Sequence, residues 1–354
     1  EGDKKSFHRL VASSAANESA SDGATLMARR ALLALLGVAL AATLLGGLAR
    51  LWGFAFPTSL IAHHGLLMGG VLLPTLISLE RAVALSNRWS GLVPLLGLLT
   101  AFSILTATGP SDVLLVTLGL GLLVQHLVLA WRRPGLDAHV SLLAVALLLI
   151  ADGRWVLHHN AAECALSWAC FLILLIGAER IELSFLGNSR ATGLHLIVFG
   201  LGIAALAGNP QGQGLGWLLL AGWLSRHDLA RRNAFRSGLA AYSARAVLAG
   251  YFWLALSGWQ LTLAGLSSGG GMQFDRVTHG VFVGFVLSMI LAHGPIVLPA
   301  VARCGMRFTK WFYIPLLLLH LSLLLRWLGW TALGGAGNFS ALALFGALLL
   351  AQSG

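Results

Sequence analysis

Charge is scarce in this sequence. Only 10% of its 354 residues are Asp, Glu, Lys or Arg, and 13 of them are acidic, against the quarter or so usual in a soluble globular domain. A water-soluble enzyme or nucleic-acid-binding domain needs a polar surface that this composition does not supply. Cysteine is scarce too. Cys164, Cys170 and Cys304 lie in or beside apolar runs and form no CxxC pair and no CxxCH. A disulfide framework, a zinc ribbon and covalently attached haem are thereby excluded, and the redox compartment is not readable. What is abundant is hydrophobicity, at 57% with a mean hydropathy of +0.83, together with 43 glycines and 12 tryptophans. Transmembrane helices pack through small residues and anchor at headgroups through indoles, so this is the composition of an integral membrane protein.

Residues 1–28 are polar and lack an apolar core, which predicts a polar cytoplasmic tail. No cleavage site follows, so the first apolar run is expected to span and not to be a removed leader. Runs able to cross a hydrocarbon core about 30 Å thick fall near 29–52, 58–85, 90–109, 112–131, 137–158, 162–186, 191–207, 214–233, 239–266, 274–302, 309–330 and 337–352. The expectation is an all-α polytopic protein with 29–354 as a single domain of twelve spans. Nineteen of the 23 lysines and arginines then fall on the side of the tail and of the loops after even-numbered spans. Arg50, Arg154, Arg276 and Arg326 fall on the other. This asymmetry explains the net charge of +10 without nucleic acid. It predicts both termini on the cytoplasmic side of a bacterial-type inner membrane, with lipid as the principal partner.

Ionisable groups inside spans are the functional candidates. Glu80 with Arg81, and Glu179 with Arg180 and Glu182, sit at cytoplasmic ends, where interfacial ion pairing is the first reading and a proton path the second. Asp152 and Arg154 are expected to form a local pair. His8, His139 and His227 lie in or beside loops. His126 and His195 read as core residues before proton-path residues. The second span carries His63 and His64 near its outer end, and the tenth, running the same way, carries His279 at matching depth. His293 follows His279 by 14 residues, which on an ideal α-helix returns to within about 40° of the same face about 21 Å deeper. His320 in the eleventh span lies at the depth of His293.

Two pairs are therefore expected, His63 or His64 with His279 in the outer half, and His293 with His320 in the inner half. Facing neutral imidazoles bind haem iron axially, so one or two haem b groups are the expected cofactors. Gly65, Gly69, Gly70, Gly280, Gly284 and Gly294 would clear room for a flat ring, or else allow close helix packing. Arg276, Arg50, Arg154 and Trp52 lie where propionates would end. A copper site of His64 with Met68, or His293 with Met289, is an alternative.

The run His64-Gly65-Leu66-Leu67-Met68, with a histidine at the same depth in the tenth of twelve spans, resembles subunit I of the haem-copper oxidases, whose second helix ligates the low-spin haem. The segments Leu76–Leu85 and His279–Pro299 look more like the NnrS-type membrane proteins, a haem-containing family linked to nitric oxide physiology. The similarity covers the helix count and two or three helices. An oxygen-reducing centre is not expected, because the sixth span has no histidine, the seventh has only His195 and the two in the tenth are 14 apart. His158-His159, at the outer end of the fifth span, is not a substitute.

These observations point to a b-type haem membrane protein that transfers electrons or binds a small diatomic ligand, alone or beside other subunits of a membrane redox complex. Two other classes remain open. One is a twelve-helix transporter with a histidine and carboxylate proton relay, although no similarity between the two halves is evident. The other is a non-catalytic accessory subunit.

Overall fold

A computed structural model describes residues 2–85, 88–186, 194–266 and 271–353. The side chains of His8, Glu182 and His195, singled out above, lie outside it. The described residues are helical almost throughout, and their one strand-like feature is an isolated bridge between Met306 and Ser353. Lipid offers no water to the backbone, so a crossing segment must satisfy its own N–H and C=O groups. Long apolar runs therefore become helices.

The first helix, α1 (Gly2–Trp52), carries the polar segment and the first apolar run on one axis. The second run is broken into α2 (Thr58–Ala62), α3 (His64–Leu66), a π-helical stretch π1 (Leu67–Leu72) and α4 (Leu73–Leu85). Then come α5 (Leu92–Thr106), α6 (Ser111–Arg132), α7 (Leu136–His158), α8 (Ala161–Leu186), α9 (Leu194–Leu206), α10 (Pro210–His227), the short α11 (Ala230–Asn233) and α12 (Gly238–Ala264). The tenth run divides as the second does, into α13 (Met272–His279), π2 (Gly280–Leu287) and α14 (Ser288–Ala302), and α15 (Tyr313–Trp327) and α16 (Thr331–Gln352) complete the chain.

Among the described residues nine helices are long and apolar enough to cross a membrane: Thr25–Trp52, His64–Leu85, Trp89–Thr106, Ser111–Arg132, Leu136–His158, Ala161–Ile181, Gly238–Ala264, Met272–Ala302 and Thr331–Gln352. The protein is thus an all-helical integral membrane protein. The remaining three expected segments coincide with α9, α10 and α15. Of these, α9 has 13 residues and α15 has 15. Gln211, Gln213, Arg226 and His227 make α10 more polar.

Helix ends follow local chemistry. Asn209 caps α10 by accepting from Gly212 N, with Pro210 in the first turn. Ala107, His159 and Arg303 take left-handed backbone, at φ 50°, 48° and 46°, and close α5, α7 and α14.

The bundle is organised around α8, whose stretch from Ala169 to Leu175 is buried without interruption. It packs on α7, on α3 and π1, on α10, and on α13 and π2. A second pairing sets α12 against α10, π2 and α14, while α1 closes the assembly on α16, α2 and α14. The α10–α12 crossing brings backbone onto backbone. A Cβ on Gly258 would sit 2.7 Å from Gly214 O and 2.8 Å from Leu218 N. No side chain can move aside there, so Gly258→Ala should separate the helices and cost about 1–3 kcal/mol. Gly222→Ala, which meets nothing within 4 Å, should be neutral or stabilise by up to about 1 kcal/mol through helix propensity. A reversible denaturation series in detergent measures the difference between the two.

Candidate functional site

The second span changes direction at His63, whose φ of −99° and ψ of 13° end α2 before α3 begins. The break sends the adjacent histidines to different neighbours. His63 Nδ1 lies 2.9 Å from Ser59 O, and its ring meets Trp155 of α7 edge-on at 6.0 Å. His64 turns to α1, with Nδ1 2.8 Å from Thr43 O. A carbonyl cannot donate, so Nδ1 of His64 carries the proton and Nε2 holds the lone pair. The ring lies against Gly47, where a Cβ would stand 2.6 Å from His64 Cε1, so only glycine admits it.

His279 closes α13 and is held the same way. Its Nδ1 lies 3.0 Å from Asp275 O and 3.2 Å from Asp275 Oδ1. Asp275 in turn receives both arms of Arg326 from α15, Nε to Oδ2 at 2.8 Å and Nη2 to Oδ1 at 2.6 Å. His279, Arg326 and Arg50 are the charged or ionisable groups close enough to act on His64 electrostatically. The helices that carry His64 and His279 both pack on α8, and each ring has its Nδ1–H tied to an oxygen acceptor and its Nε2 without a hydrogen-bond partner among the described residues. Metal-bound imidazoles are commonly oriented in this way, by a carbonyl or carboxylate on the far ring nitrogen. On donor chemistry these two residues fit axial ligation of haem.

The inner pair is not brought together. His293 donates from Nδ1 to Met289 O at 2.7 Å, and its Nε2 accepts from Arg180 of α8. Arg180 also faces Asp228, at 3.9 Å, and Asp228 accepts from Tyr251 at 2.5 Å. His320 instead accepts at Nδ1 from Trp253 Nε1–H of α12 at 3.0 Å, which leaves the proton of the neutral ring on a buried Nε2 without a partner. Neither ring presents the free Nε2 lone pair that His64 and His279 do.

The other candidate residues have partners of their own. Gly65 faces Ala161, Gly69 and Gly70 face Trp168, Gly280 faces Ser257, Gly284 faces Trp253 and Gly294 faces Phe345, so all six serve helix packing. Arg276 and Trp327 clasp each other, Arg276 Nε to Trp327 O at 2.7 Å and Trp327 Nε1 to Arg276 O at 3.2 Å. Trp52 donates to Ala332 O at 3.2 Å. Arg154 turns to Ser167 Oγ at 2.9 Å, and Asp152 to Trp168 Nε1 at 3.3 Å, so the two are not a pair. Arg81 pairs with Glu179 across α4 and α8. His159 lies 3.7 Å from Asp112 and His158 3.9 Å from Glu163. His126 donates to Leu122 O at 2.9 Å. Among the described residues no group of three or more His, Cys, Asp or Glu is placed to hold a metal ion.

Sequence reasoning missed Asp275, Arg326, Thr43 and Gly47. Asp275 carried a signal, four residues ahead of His279 on one helix face. Arg326 carried another, as an arginine inside an apolar run on the side poor in basic residues. For Thr43 and Gly47 the chain holds no local cue.

Fold and composition define a class, the polytopic all-helical membrane proteins. Within it, residues 29–353 match the model of a domain of unknown function, DUF8744, and the chain belongs to that family. No curated protein and no solved structure matches the chain.

Arg326 is 6% exposed and has Asp275 as its counter-ion. Asp275→Ala strands that charge and is expected to cost about 3–5 kcal/mol. Adding Arg326→Met should recover most of it. Detergent unfolding of the two variants checks this.

Proposed function

We propose that the protein is a b-type haem membrane protein whose single haem is held by His64 and His279 through Nε2, and that it serves electron transfer. The observation that carries the reading is the arrangement of these imidazoles on two helices that both pack on α8, each with Nδ1–H tied to an oxygen acceptor and Nε2 without a hydrogen-bond partner among the described residues. Bound there, haem b supplies one-electron redox chemistry. Thr43 and Asp275 hold the two rings in the tautomer that ligates. Asp275 makes His279 the more electron-rich donor, because a carboxylate on Nδ1–H raises ligand basicity. Held by both His64 and His279, haem b would supply electron transfer in preference to capture of a diatomic gas. In this reading α9, α10 and α15 complete twelve crossings in a bundle like that of haem-copper oxidase subunit I. Both termini are cytoplasmic, and NnrS-type proteins are the functional analogue.

A second reading, a proton-coupled transporter, draws on the buried inner network of Arg180, His293, Asp228 and Tyr251. A reduced-minus-oxidised spectrum and a pyridine haemochrome count on purified protein separate the two. We expect a b-type α-band and one haem per chain, abolished by His64→Ala or His279→Ala and kept by His293→Ala and His320→Ala. Two haems per chain would restore the inner pair, and a haem-free protein from haem-replete cells would end the redox reading.

A further inference from the structure

The carboxyl of Asp152 has no role in the site above. It is 1% exposed, in the outer third of α7. Oδ1 accepts from Trp168 Nε1–H at 3.3 Å, and Oδ2 is buried without a partner. Every element around it is accounted for. From α6 comes Gly119, so close that a Cβ there would stand 2.9 Å from Oδ2. From α8 come Trp168 and Cys164, the latter the titratable side chain near enough to feel its charge. Arg154, two residues along α7, points to Ser167. The stretch Leu67–Leu72 of π1 has no titratable side chain. An ionised carboxylate here would keep a full charge in an apolar interior against one indole N–H, with no cation beside it.

We propose that Asp152 is an intramembrane proton-binding site, with its proton on Oδ2 and its carbonyl oxygen, Oδ1, held by Trp168. The inference does not depend on whether haem is bound. Trp168 is the positioning residue. Its indole is wedged 3.0 Å from where a Cβ would lie on Gly69 or Gly70 of π1, so it cannot swing away from the carboxyl without disturbing the helix that carries His64. Release of the proton would leave a negative charge one indole ring away from that helix.

Infrared spectroscopy on the purified protein at neutral pH tests this, since exposed carboxyls are then ionised and absorb elsewhere. The wild type should show a carboxylic-acid C=O stretch that moves on carbon-13 labelling of aspartate and disappears in Asp152→Asn. Trp168→Phe should raise its frequency, because the carbonyl loses its hydrogen bond, a change that a purely packing role for the indole would not produce. A wild-type spectrum without a label-sensitive carboxylic-acid band overturns the proposal, and so does a band that survives in Asp152→Asn. The labelling arm uses the unmodified chain, so an absent band overturns the proposal even where a variant fails to fold.

Discussion

The placing of His279 depends on the bidentate pair of Asp275 and Arg326. It joins α13 to α15, and α16 packs closely against it. A Cβ on Gly334 would lie 2.7 Å from Arg326 Cβ, and one on Gly335 would lie 3.3 Å from Arg326 Nη1. The charge of a buried guanidinium must be answered on the spot, because desolvation inside a bundle is recovered only by excellent geometry. Asp275 answers it with both oxygens and uses Oδ1 and its own carbonyl to orient His279 as well. Helix packing, charge balance and the aim of a candidate ligand are thus settled by one carboxylate.

The fold was largely legible. Hydrophobic runs located every long helix, because in lipid a run of sufficient length has little choice but to be helical. The expected outer pair rested on two helices running the same way with histidines equally far from their outer ends, and the structure packs both of those helices on α8. The inner pair failed for a reason visible in the backbone. The same-face estimate from His279 to His293 assumed 100° per residue, but Gly280–Leu287 between them is π-helical, with more residues per turn, so the phase beyond it shifts. His293 therefore meets Arg180 and not His320. The Asp152–Arg154 pairing contradicted helix geometry from the start, as side chains two apart on a helix do not face each other. The glycines were ambiguous because a sequence shows neighbours along the chain and not across it.

The two interrupted helices share a design. In each, a histidine precedes a π-helical stretch containing glycine, α3 leading into π1 and α13 into π2, and both stretches pack on α8. A π turn lets a helix change its facing without a proline, and such turns gather at functional sites. Here they let α4 and α14, beyond the π turns, face differently from the halves that carry His64 and His279.

Polar groups in the interior follow a consistent allocation. Arg81 has Glu179, Arg180 has Asp228 with His293 absorbed into that pair, and Arg326 has Asp275. Each of these cations is matched by an anion across a helix boundary, which is what stability in a low dielectric requires. His64 and His279 share with His63 and His126 a ring tied at Nδ1 to an oxygen acceptor and an Nε2 without a hydrogen-bond partner among the described residues. What sets His64 apart is that its acceptor, Thr43 O, lies on another helix, and what sets His279 apart is the Asp275 carboxylate beside its Nδ1, because a carbonyl or carboxylate supplied from outside the ring's own turn holds it more firmly than the helix alone does.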